Sequence, residues 1–282
     1  MNKVAVIGAG TMGNGIAHVF ALYKFQVVLV DISDSQLENA LNNISRNLDR
    51  MLSKDRISPD DKVQTLLNIT TSSDLSHAVQ DVDLVIEAVS EQENIKKKVF
   101  QQLGDHCSDD CIIASNTSSI SITKLSSYIS FPERVIGMHF MNPVPVMKLI
   151  EVIEGHRTDA RVTKTIMDLG KKLQKQPVVV QDYPGFISNR VLMPTINEAI
   201  WALHEGVGTK EAIDSIMKLG MAHPMGPIEL ADFIGLDVCL SILNVLYTGF
   251  GNPKYAPCPL LVNMVNAGLL GKKSGEGFYR YT

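Results

Sequence analysis

A glycine-rich turn near the start of the chain constrains the fold more than any other feature. Gly8-Ala-Gly-Thr-Met-Gly13 follows directly on an apolar run, Lys3–Ile7, and precedes a segment with helical spacing. In such a strand–turn–helix unit the first glycine permits the tight turn, and the second lets the backbone approach a pyrophosphate. The third glycine lets the helix pack close to the strand. The turn therefore predicts a dinucleotide site with contacts from Gly8, Gly10, Thr11, Met12 and Gly13.

An acidic residue, Asp31, follows the second apolar run, Gln26–Val30. At this place a carboxylate binds the adenosine ribose hydroxyls, and it repels a 2′-phosphate. Ile32 and Ser33 supply no arginine to neutralise such a phosphate. The sequence therefore favours NAD over NADP, although NADP remains possible. A simple capping role for Asp31 is the alternative.

Strand-like and helix-like segments alternate through the first two thirds of the chain. The strand-like runs are Lys3–Ile7, Gln26–Val30, Asp83–Glu87, Cys111–Ala114, Arg134–Met138, Met147–Val152 and Pro177–Val180. The helix-like runs are Met12–Tyr23, Ser35–Leu52, Asn94–Leu103 and Ser121–Ser127. This alternation predicts an α/β fold of the Rossmann type, with a doubly wound, mostly parallel sheet.

The pattern changes at Asp182-Tyr-Pro-Gly185, after which helices dominate. They are predicted at Phe186–His204, from a Thr209 cap to Gly220, and at Pro227–Ile234, Asp237–Tyr247 and Leu260–Ala267, before a strand-like tail, Gly277–Tyr281. We therefore expect an NAD-binding domain over residues 1–182 and an all-α domain over residues 183–282. The abundance of apolar residues in the second domain suggests either a subunit interface or a compact helical core.

The bulk composition excludes several classes of function. The chain has 282 residues and a formal net charge of −4, so no basic excess is present to neutralise a nucleic-acid backbone. No apolar run approaches the ~20 residues that cross a bilayer as a helix. The apolar run at Lys3 begins too early for a secretory leader. We expect a cytoplasmic protein without nucleic-acid or membrane partners.

The cysteines point to neither disulfides nor a metal. Four cysteines are too sparse for a disulfide framework in a chain of this length. His106, Cys107 and Cys111 lie close together in sequence, but no second ligand pair follows at the spacing of a zinc site. We therefore expect reduced thiols and no bound metal.

A histidine and a carboxylate form the candidate catalytic pair. His139 is predicted at the end of one strand, and Glu151 lies on the next after a proline-containing return. A hairpin-like path would place Glu151 against the imidazole, fix its tautomer and leave the other nitrogen to exchange a proton with a substrate. The alternative is a histidine that merely satisfies its hydrogen bonds at a strand end.

Polar residues near the predicted strand ends suit a bound ligand. Asn116-Thr-Ser-Ser119 follows the Cys111–Ala114 run, at the edge where such sheets bind their ligands. Its alternative role is to cap the next helix. Asn142, and Asn189 on the first helix of the second domain, offer further amides from opposite sides of an interdomain cleft.

Several motifs together resemble the L-3-hydroxyacyl-CoA dehydrogenase family. They are Gly8–Gly13, Ala114–Ser119, His139–Lys148, Pro184–Arg190, His223–Pro227 and Gly271–Phe278. The likeness spans nearly the whole chain and is greatest to the stand-alone bacterial members, which act on 3-hydroxybutyryl-CoA. It implies an NAD-binding domain followed by a helical domain for dimerisation, with an acyl-CoA bound between them.

The resemblance also implies roles for single residues. His139 would be the catalytic histidine and Glu151 its orienting carboxylate, and Ser118, Asn142 and Asn189 would be polar groups around the substrate. Further cofactor contacts are implied for Glu91, Lys96, Asn116, Ser118, His139 and Asn142, and CoA contacts for Asn47 and Lys54. The chain departs from the family pattern at Asn47, where a serine is usual, and at Met141, which replaces a phenylalanine.

The expected activity is NAD-dependent oxidation of (S)-3-hydroxyacyl-CoA to 3-ketoacyl-CoA, and the reverse. A four-carbon substrate, a homodimer and the absence of a metal are further expectations. Two alternatives remain open from the sequence: a dehydrogenase of a free hydroxy acid or sugar acid on the same two-domain fold, and a non-catalytic NAD-binding sensor.

Overall fold

Two compact units, Met1–Asp182 and Tyr183–Thr282, make up the computed structural model, which describes residues 1–281. The first unit has eight strands: β1 (Lys3–Ile7), β2 (Gln26–Val30), β3 (Ile69–Ser72), β4 (Leu84–Glu87), β5 (Ile112–Ser115), β6 (Val135–Phe140), β7 (Leu149–Glu154) and β8 (Gln176–Gln181). Its helices are α1 (Thr11–Leu22), α2 (Asp34–Leu52), α3 (Pro59–Leu67), α4 (Leu75–Ala78), α5 (Glu93–His106), α6 (Ile122–Ser126) and α7 (Ala160–Lys172).

The strands form one sheet in the order β3-β2-β1-β4-β5-β6-β7-β8, and every neighbouring pair is parallel except β6 and β7. The strand order reverses between β1 and β4, and sheets of this kind bind ligands outside the carboxyl ends of the strands at that point. The predicted α/β fold with a doubly wound, mostly parallel sheet is confirmed.

The core explains why these segments form a sheet. β1, β4 and β5 are almost wholly buried, as strands covered on both faces must be. Helix α1 is also buried along most of its length and packs against β2, α2 and α3. Its tight approach to β1 needs Gly13, because a Cβ there would collide with the carbonyl oxygen of Gly8.

Four elements were not predicted, and one of them is α4, a four-residue helix at Leu75–Ala78. Strand β3 is a short edge strand in which only Ile69 is fully buried, so it lacks an apolar run. Helix α3 is largely exposed, although Ser58 and Asp61 form a capping box around Pro59 that marks its start. Helix α7 buries Ile166 and Leu169 on one face, a spacing that the sequence analysis missed.

Several predicted bounds were wrong by up to three residues, and one strand is absent. The strand predicted to end at Met138 extends to Phe140, so that His139 is the penultimate residue of β6, and the strand predicted from Met147 begins at Leu149. The tail at Gly277–Tyr281 forms only an isolated bridge between Glu276 and Arg280. The reason is that the Asp232 carboxylate accepts the N–H groups of Phe278 and Tyr279 at 2.9 and 2.8 Å.

The second unit is helical. It contains α8 (Ser188–His204), α9 (Lys210–Gly220), α10 (Pro227–Ile234), α11 (Leu236–Phe250) and α12 (Pro259–Asn266). The predicted helices are all present, and Thr209 caps α9 as expected. Their apolar faces form a core of their own that includes Ile196, Leu243 and Leu261.

Across residues 1–281, no single helix is long and apolar enough to span a membrane. Helices α10 and α11 meet that criterion only when they are taken together, and they meet at a bend of 98°.

His18 makes the fold sensitive to acid. This side chain of α1 is fully buried, and within residues 1–281 neither ring nitrogen has a hydrogen-bond partner. Burial, and then the charge of Lys175, lower the pKa of His18 from 6.5 to about 4. Between pH 6.5 and about pH 4, His18 is therefore protonated in the unfolded chain but neutral in the native chain. We expect the free energy of unfolding to fall by up to ~3 kcal/mol as the pH drops through this window.

Urea unfolding at pH 7 and near pH 4 measures this effect. Replacing His18 with phenylalanine fills a similar volume and removes the titrating group, so the variant is expected to lose less stability on acidification. An equal loss in both proteins would show that His18 does not contribute.

Candidate active site

The antiparallel pairing of β6 and β7 brings the histidine and the carboxylate together. His139 and Glu151 lie directly opposite each other in the register of the two strands. The Nδ1 atom of His139 lies 2.8 Å from a carboxylate oxygen of Glu151, and the two residues are only 8% and 3% exposed. A carboxylate in this position selects the tautomer protonated on Nδ1 and stabilises the imidazolium. The pair is therefore arranged for proton exchange through Nε2.

A cavity of about 320 Å³ opens beside this pair. Its wall is formed by Met12, Ala88, Val89, Glu91, Lys96, Asn116, Ser118, His139, Phe140, Met141 and Asn142. Seven residues that the sequence analysis selected thus line one cavity: Met12, Glu91, Lys96, Asn116, Ser118, His139 and Asn142. They come from the ends of neighbouring strands and from α1 and α5, so the fold collects them at the carboxyl edge of the sheet.

Asn116 connects two of these strands. Its side-chain oxygen accepts the backbone N–H of Phe140 at 2.9 Å. This hydrogen bond ties the segment after β5 to the end of β6, next to His139. The amide nitrogen of Asn116 is then the group that can donate to a bound ligand. The helix that follows is capped by Ser121.

Glu91 organises the loop that carries Ser118. One carboxylate oxygen accepts the hydroxyl of Thr117 at 2.6 Å, and it also accepts the N–H groups of Ser118 and Ser119 at 2.9 and 3.0 Å. Partial burial alone would raise the pKa of Glu91. The charge of Lys96 and these hydrogen bonds outweigh burial, so the pKa is lowered from its ordinary value. Glu91 is therefore held as a carboxylate at the cavity wall.

A buried ion pair lies behind Glu91. The Nζ atom of Lys96 lies 2.6 Å from a carboxylate oxygen of Glu87 and 3.3 Å from one of Glu91, and Lys96 and Glu87 are 1% and 0% exposed. The second oxygen of Glu87 accepts the hydroxyl of Ser115 at 2.6 Å. Sequence reasoning missed Glu87 and Ser115. The available signal was an acidic residue at the end of an otherwise apolar strand.

A second cavity, of about 440 Å³, lies around the glycine-rich turn. Gly8, Gly10 and Asp31 are part of its wall, and Ala88 and Val89 border both cavities. Gly8 adopts a φ of +102°, and a Cβ there would lie 2.6 Å from the carbonyl oxygen of Ala88.

The turn leaves open space where a ligand would approach. A Cβ at Gly10 would meet nothing within 4 Å, and Gly10 immediately precedes the first turn of α1. Backbone N–H groups at a helix N-terminus attract phosphate. Asp31 accepts the N–H groups of Ala9 and Ser33 at 2.8 and 3.0 Å, so it also caps the local backbone. These residues fit the pyrophosphate and adenosine ribose of a dinucleotide.

Thr11, Asn47, Lys54 and Asn189 were also predicted, and they are not among the residues that line these two cavities. Thr11 is the exposed first residue of α1, and Asn47 is half-buried on α2. Lys54 was placed in the helix after the second strand, but α2 ends at Leu52, and the N–H of Lys54 bonds to the Met51 carbonyl in a turn. Asn189 is in the first turn of α8, in the helical unit.

The described residues also contain no group of three or more histidine, cysteine, aspartate or glutamate side chains that could hold a metal ion.

A Rossmann-type sheet, a phosphate-binding turn and a histidine–carboxylate pair at the same edge define the class of NAD-dependent dehydrogenases. Comparison with known families identifies one family within this class. The model for the NAD-binding domain of 3-hydroxyacyl-CoA dehydrogenase matches residues 3–183, and the model for the C-terminal domain of the same enzymes matches residues 185–281.

Individual relatives agree with the family models. The chain is 52% identical to a 3-hydroxybutyryl-CoA dehydrogenase of Bradyrhizobium diazoefficiens, over 100% of this chain and 96% of the relative. The structure of (S)-3-hydroxybutyryl-CoA dehydrogenase from Ralstonia eutropha superposes with a TM-score of 0.98 at 46% identity, over 100% and 99% of the two chains.

A solved structure that is less similar in sequence belongs to an enzyme with a different activity. It is an NAD⁺-dependent dehydrogenase of a substituted pyridine carboxylic acid, with a TM-score of 0.81 at 35% identity, over 100% of this chain and 91% of that chain. The family models nevertheless cover almost the whole chain. The chain belongs to the 3-hydroxyacyl-CoA dehydrogenase family, and its cofactor is NAD.

Proposed function

We propose that this enzyme interconverts (S)-3-hydroxybutyryl-CoA and acetoacetyl-CoA. The observation that carries the proposal is the buried His139–Glu151 pair at 2.8 Å, on the wall of the cavity that also contains Ser118 and Asn142. Relatives that match the full chain and carry this activity in their names support the choice of substrate.

His139 moves the proton. In the oxidative direction Nε2 accepts the proton of the 3-hydroxyl group, and Glu151 stabilises the imidazolium that results. In the reductive direction the imidazolium polarises the 3-carbonyl and returns the proton to its oxygen. NAD, when bound, accepts the hydride from C3 or, as NADH, supplies it.

Ser118, Asn142 and Asn189 are assigned to the substrate oxygen atoms. Ser118 is held in place because Glu91 accepts both its backbone N–H and its hydroxyl, the latter at 3.2 Å. This places the Ser118 oxygen at the cavity wall in a fixed orientation. The roles of Asn142 and Asn189 rest on the family resemblance.

The cavity beside His139 and the cavity around the glycine-rich turn are assigned to the two halves of NAD. Gly8, Gly10 and Asp31 would hold the pyrophosphate and adenosine ribose, with Thr11, Met12 and Gly13 completing the turn. The nicotinamide half would lie beside Glu91, Lys96, Asn116, Ser118, His139 and Asn142. Support comes from Ala88 and Val89, which border both cavities and would join the two halves.

The CoA part of the substrate is assigned to the surface near α2. Lys54 is an exposed cation just beyond this helix and suits a phosphate group, and Asn47 on α2 offers an amide. Both assignments rest on the family resemblance.

The helical unit, residues 183–282, is assigned to substrate binding and dimerisation. Large apolar side chains are exposed on it, including Val207, Leu219 and Phe233, and such a surface suits a partner subunit. We propose a cytoplasmic homodimer. Light scattering is expected to give the mass of two chains, and the mass of one chain would contradict this assignment.

A chain-length series of 3-ketoacyl-CoA substrates tests the substrate assignment. We expect the highest kcat/KM with acetoacetyl-CoA. NADH should be used better than NADPH, because the Asp31 carboxylate would repel the 2′-phosphate. A higher kcat/KM with long acyl chains, or equal use of NADPH, would overturn the corresponding assignment.

A free hydroxy acid is the second candidate substrate. One observation supports a free acid in place of a thioester, namely the structural match at 35% identity to a dehydrogenase of a formyl-substituted pyridine carboxylic acid. Assays with free hydroxy acids in the same series separate the two candidates.

A further inference from the structure

The segment between β6 and β7, residues 141–148, is here called the β6–β7 loop. It begins directly after His139 and Phe140 and contains Asn142, which lines the cavity beside the catalytic pair. Within the loop, the N–H groups of Val146 and Met147 both donate to the carbonyl of Pro143 at 3.0 Å. The loop is therefore a compact turn whose placement decides where Asn142 lies.

Two contacts fix one side of this loop. At its start, Asn116 accepts the N–H of Phe140 at 2.9 Å. Further along, Val144 is buried against α1, where a Cβ on Gly15 would lie only 3.0 Å from the Val144 side chain. Neither contact involves the backbone carbonyls of Val144 and Met147.

Lys175 provides the contact on the other side. It lies between α7 and β8, and the residue is only 8% exposed. Its Nζ atom donates to the carbonyl oxygens of Val144 and Met147 at 2.5 and 2.7 Å. One ammonium group thus joins both ends of the turn that Pro143 organises.

Burying a lysine side chain costs free energy. Removing an ammonium from water costs several kcal/mol unless its charge is compensated, and an apolar side chain of the same length would pack without that cost. The carbonyls of Val144 and Met147, to which Lys175 donates, are neutral. What the ammonium adds is two directional, charge-assisted hydrogen bonds to the loop.

The surrounding charges agree with this interpretation. Burial, and then the charge of Lys148 on the β6–β7 loop, lower the pKa of Lys175 from 10.5 to about 8. The other titratable group close to it is His18 of α1, which is neutral near pH 7 because its own pKa is about 4. Lys175 therefore carries its charge through most of the neutral range.

We propose that Lys175 is a positioning residue for the dehydrogenase reaction, holding the β6–β7 loop so that Asn142 is fixed beside His139. This inference rests on the proposed function, because it assigns Asn142 to the reacting end of the site. Lys175 itself would touch neither substrate nor cofactor. Its effect passes through the loop backbone.

The test compares Lys175→Met and Lys175→Arg with a control, Lys172→Met, an exposed lysine of α7. Four quantities are measured: kcat and KM with acetoacetyl-CoA, the Kd of NADH, and hydrogen exchange of peptides that cover residues 141–148. Small misplacements near reacting atoms cost up to roughly 10²-fold in rate, so Lys175→Met should lower kcat by about 10-fold to 100-fold. The Kd of NADH should change little, and exchange should rise in the loop but not in β1.

The arginine variant keeps a charged donor, so it should recover part of the loss in kcat and in loop protection. The control should behave as wild type. If Lys175→Met does not fold, Lys175→Gln takes its place. Its amide is too short to serve both carbonyls, and the same selective loop exposure and loss of kcat are expected.

Wild-type kcat and loop exchange in the methionine variant, or in the glutamine variant if it replaces it, would overturn the proposal. So would a fall in kcat accompanied by faster exchange throughout the first unit, which is the signature of a general loss of stability. The exchange measurement needs no substrate. Failure of the wild-type enzyme to reduce acetoacetyl-CoA would therefore refute the proposed function separately from the role of Lys175.

Discussion

Replacing His139 with glutamine is expected to lower kcat for acetoacetyl-CoA reduction by ~10²–10⁴-fold, the usual contribution of general acid–base catalysis. Glutamine keeps a polar group near Glu151 but cannot carry a proton to the substrate oxygen at neutral pH. The Kd of NADH should change little, because the loss affects the transition state and not cofactor binding. Steady-state kinetics at saturating NADH, with a separate binding titration, measure both quantities.

The matched control is His156→Gln, which alters an exposed histidine beyond the end of β7. It should turn over at the wild-type rate. Turnover of His139→Gln close to that of the control would remove His139 from the mechanism.

Replacing Lys96 with methionine is expected to have the largest effect on stability. Lys96 and Glu87 are both buried and lie 2.6 Å apart, so the variant leaves the Glu87 charge unpaired inside the sheet. Breaking a buried pair in this way typically costs ~3–5 kcal/mol of unfolding free energy. NADH binding should weaken too, since Lys96 also lies 3.3 Å from Glu91 at the cavity wall. Urea unfolding and an NADH titration measure the two effects.

A second substitution distinguishes the stability lost by leaving Glu87 unpaired from the stability lost with the lysine side chain itself. Adding Glu87→Gln to Lys96→Met removes the orphaned charge, so the double variant should regain part of the lost stability. Lys98→Met alters an exposed lysine on the same helix and should leave stability unchanged. If Lys96→Met and Lys98→Met unfold at the same urea concentration, the buried pair is not stabilising the domain.

The parts of the fold that the sequence predicted well are those with a strong local signal. The glycine-rich turn, the buried Val- and Ile-rich strands and the capped helices each follow from a few neighbouring residues. The pairing of His139 with Glu151 was also inferable, because the prolines between two strand-like runs favour an extended or turn path, and a hairpin-like return would bring the two residues together. In the structure, the two residues are direct cross-strand neighbours.

The residues that sequence reasoning missed depend on contacts between distant segments. Glu87 and Ser115 form a buried polar network with Lys96, the one member that the family resemblance did imply, only because β4, β5 and α5 meet. Lys175 resembles any lysine after a helix until its side chain is seen to reach the β6–β7 loop. Charged residues are usually exposed, so composition alone assigns Lys175 to the surface. Only the three-dimensional contacts show that it supports the site.

The family assignment and the catalytic pair together predict the chemical class of the substrate. The reacting group is the 3-carbonyl of an acyl chain that is linked to CoA as a thioester. The most direct test measures NADH consumption by the wild-type enzyme with acetoacetyl-CoA and with free acetoacetate at equal concentrations. We expect rapid turnover of the thioester and much slower turnover of the free acid, because only the thioester can use binding energy from the CoA part. Equal or faster turnover of free acetoacetate would contradict the proposed function.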